Sequence, residues 1–155
     1  MSPTVRPAES TDLDDLATLV ESASIELRDQ RGGEAFLIGP TRRHASPSAL
    51  QAALEDESTM VWCGLWEGAV VGYAIAELID EGDTRIVELT DVFTIPDARE
   101  VGVGEVLVEA AIAWAIASEA SAIDAHALPG ARAAKNLYER LGLTARLITV
   151  RRELP

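Results

Sequence analysis

Two closely spaced glycines stand where the sequence changes from a strand pattern to a helix pattern. The segment DVFTIPDAREVGVGEVLVEAAIAW (residues 91–114) contains Arg99-x-x-Gly102-x-Gly104. The first N–H groups of a helix have no partner within the helix, and the helix dipole adds partial positive charge there. Glycine also lets a ligand approach the backbone closely. The spacing predicts an anion-binding turn suited to phosphate. The alternative is a structural turn in which the glycines only permit the change of direction.

This turn lacks the patterns of the commoner phosphate-binding loops. The run GVGEVL has no third glycine, so it does not match the dinucleotide-binding fingerprint. No Gly-Lys-Ser or Gly-Lys-Thr follows it, so it does not match a P-loop either. If this turn binds a phosphate, it does so as neither a dinucleotide-binding loop nor a P-loop.

A second motif, AAKNLYERLGL, follows further along the chain. The first motif resembles the acetyl-CoA-binding motif of the GNAT family of N-acetyltransferases. The second is similar to the family's Ala-x-x-Leu-Tyr-x-x-x-Gly-Phe pattern, and its matching residues here are Ala134, Leu137, Tyr138 and Gly142, with Leu143 in the Phe place. The motifs lie within residues 86–143, and the order of the predicted elements resembles the family's over nearly all of the chain.

The resemblance implies acetyl-CoA as the cosubstrate, with its pyrophosphate held by backbone N–H groups of the glycine turn. It also implies that the strand TRIVELTDVFTI splays from its neighbour beside the pantetheine arm. A backbone N–H near Val92 would hold the thioester carbonyl as an oxyanion hole does. Arg99 is expected to hydrogen-bond either the turn or a phosphate. The implied cofactor-binding residues are Val92, Phe93, Thr94, Arg99, Glu100, Val101, Gly102, Val103, Gly104, Glu105 and Asn136.

Acetyl transfer requires that the amine lose a proton, that the oxyanion be stabilised and that the leaving thiolate be neutralised. Tyr138 matches a tyrosine that in many relatives lies near the CoA sulfur and donates a proton to it. A phenol, with an ordinary pKa of about 10, is able to do so. The alternative is that Tyr138 is an aromatic core residue of an amphipathic helix.

Two residues are candidates for the base, and water is the third alternative. Glu88 matches the place of a glutamate base in some members of the family, and His126 takes a place that carries an acidic base in others. Histidine titrates in the range that proton transfer near neutral pH requires. Asp91 is a further residue that could face the substrate, but strand alternation places it opposite Glu88 unless a bulge intervenes.

Cys63 is the only cysteine, and it lies in MVWCGLW, which has the pattern of a core strand. Direct transfer in a ternary complex is therefore predicted rather than an acyl-enzyme. A single cysteine forms no internal disulfide and favours a reducing, cytoplasmic location. No metal is expected.

Three positions depart from the family pattern. Ala131 stands where an asparagine is common, Val101 where a basic or small residue is common, and Glu105 where a hydroxyl or basic residue is common. These departures bear on cofactor affinity, and it is open whether Asn136 replaces the missing asparagine. They give some support to an alternative function, a non-catalytic acyl-CoA-binding module or sensor with the same fold. A third interpretation has no CoA and a purely structural glycine turn.

The elements that position these residues are predicted in the order βααβββαβαβ. A short strand at residues 3–8 precedes two helices, of which the second begins at Ser46 and Pro47. RGGEAFLIGPTRRH between the helices is predicted to be loop. Three strands with short glycine turns indicate antiparallel hairpins. A helix, the strand AIDAHAL, the helix GARAAKNLYERLG and a last strand, ARLITVRREL, follow. The pattern predicts an α/β (α+β) fold, a mixed, mostly antiparallel sheet flanked by helices, in one domain of residues 1–155.

Charge and hydropathy argue against two classes of partner. The chain of 155 residues has 13 basic and 26 acidic side chains and a net charge of −13, with basic stretches only in TRRH and VRR, so no nucleic-acid partner is expected. No apolar run has the length that a membrane span needs.

The acceptor region, near the first two helices, contains charges of both signs that are predicted to be solvated: Glu21, Glu26, Asp29, Glu34, Arg28, Arg31, Arg42 and Arg43. The resemblance also implies a possible homodimer.

Overall fold

The computed structural model describes residues 1–155, and its five strands form one sheet in chain order. The first four strands pair antiparallel and the last pair is parallel. The mixed, mostly antiparallel sheet predicted from the sequence is confirmed. The strands are β1 (Thr4–Pro7), β2 (Thr59–Trp66), β3 (Ala69–Glu81), β4 (Thr84–Thr94) and β5 (Ala122–Ala125).

Helices cover both faces of this sheet. They are α1 (Leu13–Arg28), α2 (Gly33–Ile38), α3 (Pro47–Glu55), α4 (Val103–Ala117) and α5 (Arg132–Arg140), with short 3-10 turns at Ser10–Asp12 and Pro96–Val101. The predicted start of α3 is confirmed, because the Ser46 hydroxyl accepts a hydrogen bond from the Ala49 N–H and Pro47 is the first helical residue. No helix has both the length and the apolar character that a membrane crossing requires.

Two apolar cores lie on opposite faces of the sheet. On the α4 face, Leu107 and Ala111 pack against Trp62, Ala74 and Leu89. On the α1 face, α1 and α3 cover a second set that includes Val61, Cys63, Tyr73, Ile75 and Phe93. Burial raises the pKa of the Cys63 thiol to about 12, so this cysteine stays protonated in the core, as the strand pattern predicted.

The region predicted as loop between the first two helices contains α2, so that prediction was wrong for Gly33–Ile38. Gly32 adopts a left-handed conformation (φ 80°) at the helix start, and its carbonyl accepts the Phe36 N–H at 3.0 Å. Glycine makes this tight entry possible, and the apolar run GEAFLI then continues as one and a half turns of helix.

The predicted last strand is absent, and residues 143–155 form no helix or strand. Its apolar side chains are exposed: Leu147 by 90%, Ile148 by 77%, Val150 by 89% and Leu154 by 79%. A strand needs a neighbour to satisfy its backbone hydrogen bonds. The alternating pattern was present, but this segment, hereafter the C-terminal tail, has no partner strand within its own chain.

Candidate active site

An opening lies between β4 and β5 at the end of their shared ladder. The two strands pair only from Ile86–Ala122 to Leu89–Ala125, whereas β4 continues to Thr94 in its pairing with β3. Beyond Leu89, one edge of β4 has therefore lost its neighbour. The strand splays as the sequence resemblance implied, and a section of its backbone is left to face a ligand.

The backbone of Val92 is directed into this opening. The Ile95 N–H donates to the Val71 carbonyl at 2.9 Å, so Ile95 is turned toward β3. Because hydrogen-bonding direction alternates along an antiparallel strand, Phe93 also faces β3 while Val92 and Thr94 face away from it. The hydrogen bond of the Thr94 carbonyl is consistent with this direction: the carbonyl accepts from Arg99 Nε at 2.9 Å, on the side of β4 away from β3.

The start of α4 lies next to the same end of β4. Gly102 has a left-handed backbone (φ 90°), and the first N–H to be satisfied within the helix belongs to Val106, which donates to the Gly102 carbonyl at 3.2 Å. The N–H groups of Val103, Gly104 and Glu105 precede it and have no partner in the helix, and no side chain caps them. A Cβ at Gly104 would lie 3.8 Å from Thr94 Oγ1 and 3.3 Å from Leu137 Cδ2.

Most of the predicted cofactor residues are therefore brought to one place, the end of β4 and the beginning of α4. Glu100 is exposed in the 3-10 turn, Val101 is half-buried and Asn136 is exposed on α5. The Arg99 side chain hydrogen-bonds the end of β4, at the Thr94 carbonyl, rather than the turn itself. Its guanidinium also contacts Glu26 Oε2 at 2.6 Å and lies 5.6 Å from the centre of the Phe93 ring.

A β-bulge places Glu88 and Asp91 on the same face of the sheet. Leu89 pairs with Ala76 and Asp91 pairs with Ile75, which leaves Thr90 without an opposite residue. The extra residue shifts the alternation by one. Both carboxylates consequently lie on the α1 face, and the Thr90 hydroxyl donates to the Ile75 carbonyl at 3.3 Å.

The two candidate bases form one hydrogen-bonded pair. His126 Nε2 lies 2.9 Å from Glu88 Oε2, and Arg43 Nη2 lies 2.6 Å from the other oxygen, Oε1. Partial burial acts to raise the pKa of Glu88, but the hydrogen bonds from Arg43 and His126 outweigh it and lower the pKa. An ionised carboxylate only accepts hydrogen bonds, so Nε2 of His126 is the donor and its Nδ1 is the nitrogen left to accept a proton.

Asp91 belongs to a buried polar network. Its Oδ2 accepts from the Tyr73 hydroxyl at 2.6 Å and from Arg42 Nε at 3.1 Å. Arg42 also donates to Ser24 Oγ at 2.8 Å and to the Val20 carbonyl at 3.3 Å. Burial raises the pKa of Asp91, the charge of Arg42 offsets part of this, and burial likewise raises the pKa of Tyr73.

Arg42 was predicted to be solvated, and that prediction was wrong, whereas Arg43 is exposed as predicted. The Arg42 side chain is 3% exposed, and Arg43 bridges Glu77 and Glu88 at 3.2 and 2.6 Å. One signal was available in the sequence. Asp91 stands in the otherwise apolar run LTDVFTI, and a carboxylate within a core strand requires a cationic or hydroxyl partner. Nothing in the sequence identified Arg42 as that partner.

Tyr138 lies half-buried on α5 and packs against the core of the α4 face. Burial, followed by the negative charge of Asp91, raises the pKa of its hydroxyl. The phenol therefore keeps its proton throughout the neutral range. No three side chains among His, Cys, Asp and Glu are grouped closely enough to hold a metal ion.

The family model described as "Acetyltransferase (GNAT) family" matches residues 22–143. Among solved structures, the tetramutant of the BH1408 protein from Bacillus halodurans superposes with a TM-score of 0.81 at 22% identity, covering 97% of this chain and 99% of that one. A predicted acetyltransferase with acetyl-CoA from Clostridium acetobutylicum gives 0.71 at 14% identity, covering 97% and 96%. AAC(6')-Iy in complex with the bisubstrate analog CoA-S-monomethyl-acetylneamine gives 0.68 at 17% identity, covering 99% and 100%. Among curated proteins, no match was found.

The buried network predicts that Arg42 is essential for stability while its neighbour Arg43 is not. Arg42→Met leaves the Asp91 charge buried beside Tyr73 alone, and we expect a loss of about 3–5 kcal/mol in the free energy of unfolding. Arg43→Met removes two partly exposed ion pairs and is expected to cost about 1 kcal/mol or less. Urea unfolding of the two variants checks this, and equal losses would show that Asp91 does not depend on Arg42.

Proposed function

Because the chain belongs to the GNAT family of acetyltransferases, we propose that it moves the acetyl group of acetyl-CoA directly to a primary amine of a small molecule or a protein. The observation that carries this proposal is the pairing of Glu88 with His126 beside the opening in the sheet. The groups that the reaction needs are then the imidazole of His126, the backbone N–H of Val92 and the unpaired N–H groups at the start of α4.

The proposed binding site for acetyl-CoA runs along the unpaired edge of β4 to the start of α4. The N–H groups of Val103, Gly104 and Glu105 are available for the pyrophosphate, and they combine hydrogen bonding with the positive end of the helix dipole. The outward-facing edge of β4 is available for the pantetheine arm. Both contacts use main chain, which is compatible with the family's binding of acetyl-CoA in a chain of net charge −13.

In the proposed reaction the amine attacks the thioester carbonyl while the Val92 N–H donates to the developing oxyanion. His126 Nδ1 takes the proton that the amine loses, and Glu88 stabilises the resulting imidazolium. The carbon–nitrogen bond forms and the carbon–sulfur bond breaks when the oxyanion collapses. The electron pair of the broken bond leaves on the CoA sulfur.

Tyr138 is proposed to stabilise that sulfur. Its pKa is raised by burial, so it holds its proton more firmly than an ordinary phenol. We therefore assign it the part of a hydrogen-bond donor to the thiolate, which collects its proton from solvent after release. This modifies the full proton transfer that the resemblance implied. A non-catalytic acyl-CoA-binding module remains the competing function, and it differs in having no turnover that depends on Tyr138.

Acetyl-CoA binding is the first expectation to be tested, by isothermal titration calorimetry with acetyl-CoA and with CoA. Gly104→Glu places a carboxylate at the proposed phosphate site and a side chain against Leu137, and we expect at least a 100-fold weaker affinity, of order 3 kcal/mol. Ala113→Glu adds the same charge at an exposed position of the same helix and is expected to bind as the wild type does. Absence of binding by the folded wild type at millimolar acetyl-CoA contradicts the proposal.

Turnover is tested by following CoA thiol release with a panel of polyamines, aminoglycosides and peptides with free amino groups. We expect Tyr138→Phe to lower kcat by about 10- to 100-fold with little change in KM, because the lost hydrogen bond forms only as the sulfur becomes charged. Tight acetyl-CoA binding without release for any amine, in wild type and variant alike, favours the non-catalytic module.

We further propose that the protein forms a homodimer through its C-terminal tail. The tail contains exposed apolar residues at positions 147, 148, 150 and 154. Residues 144–155 carry three arginines and one glutamate, a net charge of +2, against −13 for the whole chain and hence −15 for the remainder. The acidic surface and the free edge of β5 of a second copy are the proposed partners of the tail.

This dimer is tested by light scattering coupled to size exclusion. We expect the wild type to elute as a dimer and Ile148→Glu/Val150→Glu as a monomer, because burying two carboxylates without partners is costly. Thr144→Glu/Thr149→Glu, the control, adds the same charge at polar positions of the tail and keeps the dimer. A monomeric wild type at 100 µM, roughly the upper range for a stable dimer, would rule this assembly out.

A further inference from the structure

Five ionisable side chains form a continuous hydrogen-bonded chain across the α1 face of the sheet. His44 Nε2 lies 2.7 Å from Glu77 Oε1, and Glu77 Oε2 lies 3.2 Å from Arg43 Nη2. The same Arg43 nitrogen lies 2.6 Å from Glu88 Oε1, and Glu88 Oε2 lies 2.9 Å from His126 Nε2. Each carboxylate has one oxygen on Arg43 and the other on a histidine. We call this set the His–Glu–Arg–Glu–His chain.

Arg43 is the fixed centre of this chain. Its second terminal nitrogen, Nη1, donates to the carbonyls of Pro40 and Thr41 at 3.3 and 3.4 Å. The segment that carries Arg43 is held in turn by its neighbour Arg42, which is buried against Asp91. The guanidinium is therefore restrained by its own backbone and by the core, and it restrains Glu88.

We propose that Arg43 is a positioning residue for the Glu88–His126 pair: it holds Oε1 of Glu88, keeps Oε2 on His126 Nε2 and so leaves Nδ1 as the nitrogen that accepts the proton. This inference rests on the proposed acetyl transfer. Arg43 touches neither acetyl-CoA nor the amine in this scheme and acts only through Glu88. Glu77 and Glu88 both accept a hydrogen bond from Arg43 Nη2. The negative charge of Glu77 therefore offsets part of the positive charge that Arg43 presents to Glu88 and His126.

The charges around His126 fix the direction of the expected effects. The acidic groups of the strands beside His126 include Glu88 and Asp91 of β4, Glu77 of β3 and Asp124 of β5, the register partner of Glu88. Arg43 supplies the positive charge that contacts Glu88. Removal of Arg43 takes away a hydrogen bond and a positive charge that lower the pKa of Glu88, so this pKa rises. Removal of the Glu77 charge leaves Glu88 as the only carboxylate paired with Arg43, and it has the opposite effect on the pKa of Glu88.

The first test is nitrogen-15 NMR of the imidazole rings, which distinguishes the two tautomers. The chain has two histidines, and His44→Gln identifies the signals of His126. In the wild type we expect His126 to carry its proton on Nε2. In Arg43→Met we expect the fraction with the proton on Nδ1 to rise about twofold or more, because Glu88 is free to turn away. Arg43→Lys keeps the charge and restores much of the wild-type spectrum.

The second test is the pH dependence of kcat/KM. We expect the low-pH limb to move to higher pH by about 0.5 to 1 unit in Arg43→Met, to lower pH in Glu77→Gln, and back toward the wild type in Arg43→Lys. Arg85→Met removes an exposed arginine of β4 that pairs with Asp80 rather than with Glu88, and it is the matched control, with tautomer and profile unchanged. Far-UV circular dichroism confirms folding of each variant.

The two tests separate failure of this inference from failure of the proposed function. A folded Arg43→Met protein with an unchanged tautomer and an unchanged pH profile overturns the positioning role, although acetyl transfer stands. Absence of acetyl transfer by the wild type overturns the proposed function, and the NMR spectrum still decides whether Arg43 positions the pair.

Discussion

The buried charge of Asp91 is the constraint on which the site depends. A carboxylate in a core strand is stable only with partners, and here these are Tyr73 at 2.6 Å and Arg42 at 3.1 Å. Arg42 comes from the segment between α2 and α3, so this segment must lie against the sheet. The neighbouring Arg43 is thereby brought to Glu88. A requirement of the core thus determines where the surface charges of the site are placed.

The bulge at Thr90 separates the roles of side chains and backbone along β4. The extra residue puts both Glu88 and Asp91 on the α1 face, while the backbone of Val92 is turned to the opening beside β5. In the proposed reaction, the side chain of Glu88 acts through His126 on the proton of the amine, and the main chain of Val92 holds the thioester carbonyl. Thr90, whose hydroxyl donates to the Ile75 carbonyl, satisfies a polar group at the irregularity.

An acidic protein in a family that uses an anionic cosubstrate presents no contradiction when the donors are main-chain groups. The net charge of −13 acts over the surface and is screened by salt, whereas an N–H group acts within hydrogen-bonding distance. At the start of α4, these groups are aligned by the helix itself. Arg99, the basic residue of the motif, instead bonds Thr94 and Glu26 and so ties the turn to β4 and α1.

The sequence by itself determined the family motifs, the sheet, the glycine turn and the strand that carries Glu88, because each depends on local patterns of apolar residues and turn residues. The pairing of Glu88 with His126 joins residues 38 positions apart, and the contact of Arg42 with Asp91 joins residues 49 apart. No local pattern encodes such contacts. The prediction of a final strand was wrong for a related reason. Alternating apolar residues form a strand only if a neighbouring strand completes the backbone hydrogen bonds. Only the tertiary structure decided which charges meet, which are buried and which segment is left without a partner.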